Sequence, residues 1–269
     1  MTDTILTPKA LANTYSPQQF ETGWDAVDQY LLVAEYADLE PGASWAEAAS
    51  ALDMPSSRVK RWYSGGKPMV VKQIETADAL GWFDASWDSK IGRAFNLVIA
   101  GVLSGGLLGQ GFQIRITIDG DLDDATRNSI ETAFQVLCGA TKLENVDDPR
   151  RSTTLSPQEN QRLLGRAVHV LGVPKGRKTE AELVIPEYLS THPKLQDEFV
   201  ELYVALRGSV SEKGTIDIRE ERTKAYLQSL ADLIEDVTGE PAKVRENGIF
   251  LRQATVEALS GTVVWENGD

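Results

Sequence analysis

Apolar residues recur every three or four positions through the first part of the chain, which is the period of an α-helix. The positions that share this period in two consecutive segments are Trp24, Val27, Leu31 and Leu32, then Trp45, Ala48, Ala49 and Leu52. Pro41-Gly42 ends the first segment, and Ser44 with Glu47 three residues later has the pattern of a capping box. This pattern predicts two amphipathic helices separated by a sharp break.

A third short helix follows after Asp53-Met54-Pro55, with Ser56 as its expected N-cap. In this helix Val59, Trp62 and Tyr63 should face inward, which leaves Ser57, Arg58, Lys60, Arg61 and Ser64 outward. Gly65-Gly66 ends it, and a helix from Val70 to Trp82 follows. Two capped helices joined by a turn of about three residues predict a helix-turn-helix.

Alternation with a period of two residues begins after a polar segment at 84–90, and the same order of elements occurs twice. In the first copy Phe112, Ile114, Ile116 and Ile118 share one face of a strand, and Gln113, Arg115 and Thr117 share the other. In the second copy Ile216 and Ile218 oppose Thr215, Asp217 and Arg219. Matching Gly106 with Gly208 gives an offset of 102 residues. An internal duplication is therefore expected.

Each strand is followed by an amphipathic helix, a hairpin and another helix. The helix positions that share one apolar face are Ile130, Ala133, Phe134 and Leu137 in the first copy, and Tyr226, Leu227, Leu230 and Ile234 in the second. Asn247-Gly248 predicts a type I′ hairpin turn, followed by a helix at 254–259. The first-copy hairpin should lie within 142–155, before a helix at 157–171.

The segment that joins the two copies reads GVPKGRKTEAELVIPEYLSTHPKLQDEFVELYVALRGSVSEKGTIDI, from Gly172 to Ile218. Its Gly-x-Pro-Lys-Gly-x-Lys-Thr start, its Ile-Pro-Glu-Tyr stretch and its helix before Gly208-Ser209 resemble the join between the two halves of a LAGLIDADG homing endonuclease. The resemblance extends over residues 91–262. It implies a two-repeat α/β saddle that lies along duplex DNA, and hence an α+β fold that follows an all-α helix-turn-helix domain.

The resemblance also implies a place for catalysis, and this chain departs from the family there. In that family each of two neighbouring helices delivers one carboxylate to a divalent metal that assists phosphodiester cleavage. Gly105 stands at the first of these positions and Arg207 at the second, in Leu206-Arg207-Gly208-Ser209. Glycine has no ligating side chain and arginine repels a metal ion. We therefore expect no catalytic residues, no metal site and no cofactor.

Composition at first argues against a nucleic-acid partner, because the formal net charge is −13. The same acidity is typical of cytoplasmic proteins of haloarchaea, and at molar salt the Debye length falls to about 3 Å, which removes long-range repulsion. Between Ser44 and Lys72, however, five basic residues face two acidic ones, a local charge of +3. This local reversal of sign favours a DNA-reading surface.

Other chemistry finds little support in the sequence. The single cysteine, Cys138, excludes a disulfide framework, and the two histidines lack partners at metal-ligand spacing. The N-terminus does not resemble a signal peptide, and the apolar run 95–108 is too short to span a bilayer. A cytoplasmic protein associated with the nucleoid is expected, without a membrane partner.

The sequence thus predicts a sequence-specific binder of double-stranded DNA, most simply a transcriptional regulator on an inactive nuclease scaffold. The residues expected to contact DNA are Ser57, Arg58, Lys60, Arg61, Lys67, Gln113, Arg115, Thr117, Lys175, Arg177, Lys178, Arg207, Thr215 and Arg219. Three alternatives stay open. The first is an active nuclease with acids relocated to Asp119, Asp121, Glu212 or Asp217, and the second is an RNA-binding splicing cofactor of maturase type. The third is a protein-interaction module.

The expected domain organisation has seven parts. These are a flexible N-terminus at 1–19, the helix-turn-helix domain at 20–83, a linker at 84–90, the first repeat at 91–171, an inter-repeat linker at 172–194, the second repeat at 195–262 and a tail at 263–269. The two repeats in one chain already form a pseudo-dimer, so the saddle needs no second copy. Helix-turn-helix domains usually bind as pairs, which leaves a homodimer open.

Overall fold

The computed structural model describes residues 4–118, 122–146, 148 and 150–259. By its contacts the chain divides into two compact units. One is helical and runs from Leu6 to Asp84; the other contains the described residues of 1–5 and 85–269. The division falls one residue after the predicted end of the helix-turn-helix domain.

The helical unit consists of five helices that enclose two small apolar clusters. They are α1 (Pro8–Ala12), α2 (Gly23–Leu39), α3 (Trp45–Ala51), α4 (Ser56–Tyr63) and α5 (Met69–Ala79). The predicted capping box is present, because the Ser44 hydroxyl accepts from the Glu47 N–H while the Glu47 carboxylate accepts from the Ser44 N–H. Val33, Val59 and Trp62 lie in the cluster beneath α3 and α4.

Three local expectations differ from the structure of this unit. Leu31 and Leu32 are 51% and 47% exposed, because α2 turns Val27 and Val33 inward instead. Ser56 is the first residue of α4 rather than its cap; Pro55 occupies the cap position and offers no side-chain hydrogen bond. Helix α1 lies within the segment assigned to a flexible N-terminus, and its Leu11 is fully buried.

The mixed unit contains two copies of one helix-strand-strand-helix-strand-strand-helix order. The first copy is α6 (Lys90–Ser104), β1 (Leu107–Leu108), β2 (Ile114–Thr117), α7 (Asp124–Cys138), β3 (Thr141–Glu144), β4 (Thr154–Pro157) and α8 (Gln161–Val170). The second is α9 (Pro193–Arg207), β5 (Gly208–Val210), β6 (Ile216–Arg219), α10 (Lys224–Thr238), β7 (Ala242–Arg245), β8 (Gly248–Leu251) and α11 (Gln253–Ala258).

The two sheets have the same topology, with strand orders β1-β2-β4-β3 and β5-β6-β8-β7 and antiparallel neighbours throughout. The apolar residues predicted for α7 and α10 are buried, among them Phe134 and Tyr226. The predicted alternation in the strands is also present, since Ile116 and Ile218 are buried while Arg115 and Arg219 are exposed. The α+β fold class is confirmed, and the repeated element order is consistent with the LAGLIDADG-like fold that the resemblance implies.

Helices α6 and α9 pack against each other in the centre of this unit. α6 is buried from Ala94 to Ser104. The buried Asn96 amide donates to the Leu195 carbonyl at 3.0 Å and accepts from the Tyr188 hydroxyl at 2.8 Å, which ties the start of α6 to the start of α9. The paired helices therefore have a fixed register, and their C-terminal ends lie at the same edge of the unit.

Several segments differ from expectation for identifiable reasons. In the segment 84–90, Trp87 is buried and stacks on Tyr188 with ring centroids 3.6 Å apart, and Ser89 caps α6. The second hairpin is present, but its loop is Glu246-Asn247, and Gly248 belongs to β8. A Cβ at Gly248 would lie 1.9 Å from the Ile218 carbonyl oxygen. Glycine is therefore needed for strand pairing rather than for the turn. α8 begins at Gln161 because β4 extends to Pro157.

Within the described ranges 4–118, 122–146 and 150–259, no helix is both long enough and apolar enough to cross a membrane.

Candidate nucleic-acid interface

The outer face of α4 is basic and exposed. Ser57, Lys60 and Arg61 are exposed, whereas Val59 and Trp62 on the opposite face are buried. The turn that joins α3 to α4 runs from Leu52 to Pro55 and is closed by a bond from the Met54 N–H to the Ala49 carbonyl. α4 is thereby held on a short, structured turn with Lys60 and Arg61 exposed to solvent.

Arg58 is placed differently from the prediction, because its guanidinium is used within the helical unit. It donates to the Gln29 side chain on α2 and, at 3.4 Å, to that of Gln19. Its charge lies 4.5 Å from the centre of the Phe20 ring, a cation–π distance. Arg58 therefore positions α4 against α2, in contrast to the DNA contact predicted for it.

Lys67 is also engaged, since its ammonium forms an ion pair with the Glu75 carboxylate at 2.5 Å. Both side chains are partly exposed, so this pair is weak and can open. The Glu75 hydrogen bond raises the pKa of Lys67 above its ordinary value, which keeps the ammonium charged. Lys67 therefore remains a charged residue shortly after the basic helix α4 in the chain.

The outer faces of the two sheets carry the predicted polar residues. Gln113 and Arg115 are exposed and Thr117 is half-buried in the first sheet. In the second sheet Arg219 is exposed, and the Thr215 hydroxyl lies 2.8 Å from the Ser211 hydroxyl. These side chains share one face in each copy because strand residues two apart point the same way.

The three cations of the inter-repeat linker have three different environments. Lys175 places its ammonium 4.5 Å from the Phe112 ring centre, and Arg177 is exposed and pairs with Glu180 at 3.3 Å. Lys178 is directed inward, where its ammonium donates to the carbonyls of Val102, Leu103 and Ser104 at 2.6, 3.0 and 3.3 Å. Lys178 therefore caps the C-terminus of α6 rather than reaching outward, and of the three cations Arg177 is the exposed one, in a weak surface pair.

Burial of Lys178 has a measurable consequence. Burial, with the charges of Arg222 and Arg207, lowers the pKa of the Lys178 ammonium to about 7 against the opposing effect of Glu220. The unfolded chain keeps this proton up to its usual pKa of 10.5. Between about pH 7 and 9 the unfolded state then binds more protons than the folded state, so stability should rise with pH.

Urea unfolding between pH 7 and 9 should show this rise in stability, and Lys178→Met should flatten it. An equal slope in both proteins would contradict this assignment.

The ends of α6 and α9 occupy equivalent positions in the two repeats. A Cβ at Gly106 would meet Val102 and a Cβ at Gly208 would meet Val204, each four residues earlier on its helix. This shared environment supports the 102-residue offset and matches Gly105 with Arg207. Gly105 lies beside the partner helix, since its added Cβ would be 3.9 Å from the Leu206 Cβ.

Arg207 is held by a buried acid that the sequence analysis did not single out. Its Nε donates to Glu220 at 2.8 Å, and its terminal nitrogen donates to the Arg219 carbonyl at 3.1 Å. The Glu220 side chain is 0% exposed, and it also accepts from the Tyr203 hydroxyl at 2.7 Å. Burial raises the pKa of Tyr203 well above its ordinary value, so Tyr203 remains a donor. Arg222, 3.6 Å from Glu220, completes this network.

The described part of the chain does not assemble metal ligands at these helix ends. Among the described residues, no group of three or more His, Cys, Asp or Glu side chains could hold a metal ion. Glu212 is exposed, and Asp217 forms an ion pair with Arg245 at 2.5 Å. Asp119 and Asp121, two further acids proposed as relocated ligands, lie outside the described residues.

A cavity opens at each helix end instead. The one beside α6 has a volume of about 410 Å³, and the one beside α9 about 450 Å³. Equivalent residues line both, namely Gly105 and Arg207, Thr117 and Arg219, and Asn145 and Asn247. These pairs share the 102-residue offset. Arginine is therefore the charged group common to both cavities.

Comparison with known proteins gives one finding on the fold. No family model matches the chain, and no curated protein matches it. Among solved structures, the crystal structure of the N-terminal LAGLIDADG domain of DUF199/WhiA is similar, with a TM-score of 0.38 and 11% identity. The match covers 69% of this chain and 90% of that one. The two-repeat α+β architecture of this protein is shown by its own repeated element order and sheet topology.

Proposed function

We propose that this protein is a sequence-specific binder of double-stranded DNA that acts as a transcriptional regulator and does not cut its target. The observation that carries the proposal is the basic outward face of α4. α4 follows α3 after a four-residue turn and presents Ser57, Lys60 and Arg61 to solvent. This is the arrangement by which a helix-turn-helix places its second helix in the major groove.

The mixed unit supports the proposal through its sheet faces. Arg115 on β2 and Arg219 on β6 are exposed and line the helix-end cavities, and Gln113 is exposed just before β2. Polar and cationic side chains of this kind contact phosphates and base edges. Gly105 and Arg207 stand where a metal-dependent nuclease of this kind would need carboxylates. Binding without cleavage is expected because neither residue supplies an anionic metal ligand.

The proposal predicts that the double variant Lys60→Ala/Arg61→Ala loses DNA binding. Each specific base contact contributes about 1–3 kcal/mol, so affinity for the target duplex should fall about 30-fold or more. Fluorescence anisotropy with a duplex selected from genomic fragments measures this loss. The control Lys9→Ala/Lys224→Ala removes the same charge from exposed helix positions, and it should change affinity less than about threefold.

The same measurement separates the alternatives. Structured RNA should compete poorly with the selected duplex, whereas a splicing cofactor would prefer the RNA. If both double variants bind DNA as the unmodified protein does, α4 is not the reading element and the proposed function is wrong.

A further inference from the structure

The cavity beside α6 has the features of an anion site. Arg115 and Arg151 line it, together with Thr117, Asn145 and Ser152, and none of its described lining residues carries a carboxylate. In a chain with a net charge of −13, a small cavity lined by two arginines and by no described carboxylate is a local concentration of positive charge. The cavity therefore favours a negatively charged group.

The two arginines of this cavity form few ion pairs within the described part of the chain. Among the described residues Arg115 makes no ion pair. Arg151 lies 3.6 Å from Asp148, and its side chain is largely exposed. Glu144, which lies across from Thr154 on β3, pairs with Lys142 at 2.6 Å. Both arginines are thus able to turn to a ligand.

A buried hydroxyl adds a second, independent observation. Thr154 lines the cavity on β4, directly across from Thr117, and is 7% exposed. Its hydroxyl oxygen is buried and has no hydrogen-bond partner among the described residues. A buried polar group without a partner is costly, so this hydroxyl is available to bond a ligand in the cavity. An oxyanion oxygen is a natural acceptor for this hydroxyl.

Gly105 keeps the cavity open. An added Cβ there would have its nearest neighbours at 3.8 and 3.9 Å, so the space exists because the residue has no side chain. The equivalent residue in the second repeat is Arg207, whose side chain enters the other cavity and binds the buried Glu220. The acids Glu220 and Glu221 also line that second cavity. Two of its three arginines, Arg207 and Arg222, are therefore paired with Glu220 within the protein.

We infer that the two helix ends have different roles. The α6 end binds the tetrahedral oxyanion of a phosphate through Arg115, Arg151 and Thr154, and the α9 end is an internal ion-pair network that fixes the two repeats. If the phosphate belongs to the DNA backbone, the inference rests on the proposed function and adds an asymmetric anchor to it. A free inorganic phosphate is the other source of the same chemistry.

Two substitutions at one position isolate the charge of this cavity. Gly105→Asp places a carboxylate beside Arg115, whereas Gly105→Asn adds a side chain of the same shape without charge. Gly105 has φ −107°, which both residues adopt. Inorganic phosphate binding, followed by ³¹P NMR and calorimetry on the full chain, should weaken at least about tenfold in Gly105→Asp relative to Gly105→Asn.

The arginines test the asymmetry between the repeats. Arg115→Ala should weaken phosphate binding about tenfold, and Arg219→Ala, in the other cavity, should leave it unchanged. In DNA titrations at several salt concentrations, Arg115→Ala should reduce the salt slope by about one phosphate contact. Lys224→Ala serves as the control for both measurements.

Each failure has a distinct meaning. Equal effects of Arg115→Ala and Arg219→Ala would overturn the asymmetry, and no phosphate binding with an unchanged salt slope would overturn the site. Magnesium binding at this cavity in place of phosphate would also overturn it. If phosphate binds as described but no duplex DNA does, the proposed function fails and the phosphate site remains.

Discussion

Replacing Glu220 with glutamine is expected to destabilise the mixed unit by about 3 kcal/mol or more. The Glu220 carboxylate is fully buried and is the only anion among the described residues that contacts both Arg207 and Arg222. Lys178 is also influenced by its charge. Glutamine keeps the shape and the Tyr203 contact but leaves the buried Arg222 and the partly exposed Arg207 without their anion. Urea unfolding followed by circular dichroism measures the loss.

The neighbouring acid provides a matched control. Glu221 is exposed, and Glu221→Gln makes the same chemical change one residue away. A surface change of this kind should alter stability by less than about 0.5 kcal/mol. Equal stabilities for Glu220→Gln and Glu221→Gln would show that the buried network does not hold the helix ends together.

The second large effect is expected at Gly165, where α8 crosses the start of β2. A Cβ at this position would lie 2.0 Å from the Phe112 carbonyl oxygen, a backbone atom that cannot rotate away. Overpacking of this kind costs about 1–3 kcal/mol, and contact with backbone places Gly165→Ala at the upper end. The same unfolding experiment detects it as a lower urea midpoint.

Gly105→Ala is the comparison for this change, since it lies in the same unit and its added Cβ would touch nothing closer than 3.8 Å. The Gly105→Ala variant should be about as stable as the unmodified protein. Alanine brings no gain in helix propensity at this position, because Gly105 is the residue after α6. If Gly105→Ala destabilises the unit as much as Gly165→Ala does, the packing described at α8 is wrong.

The fold followed from the sequence where local periodicity was strong. The alternation from Phe112 to Ile118 and the apolar stripes of α7 and α10 predicted which faces are buried, because each pattern extends over a whole element. The repeat offset followed from two glycines, Gly106 and Gly208. Both lie at a close approach between a helix end and a strand, where no larger residue fits.

Other features depend on neighbours that are distant in sequence. Trp87 makes the segment 84–90 part of the packed unit only because Tyr188 lies beside it. Leu31 and Leu32 fit a helical period, but α2 is rotated to bury Val33, and the period alone does not select between adjacent stripes. Periodicity therefore predicted the elements better than their environments.

At the site, too, the sequence pattern did not predict the environments of the charged residues. Arg58, Lys178 and Arg207 looked like free cations, yet each has a partner within the chain. A signal was available for Glu220, because the 102-residue offset matches it with the apolar Ile118, and an acid at an apolar position indicates a buried partner. Lys60 and Arg61 were correctly expected to be exposed, since the tight packing of Val59 and Trp62 determines the outward face of α4.

The most direct test is footprinting of a selected genomic duplex by the full chain, with and without magnesium, at high salt. If α4 and a sheet face bind DNA without cutting it, the footprint should show one protected sequence. Protection should be equal with and without magnesium, and the DNA strands should stay intact. Magnesium-dependent strand breaks within the protected site, or protection without sequence preference, would contradict it.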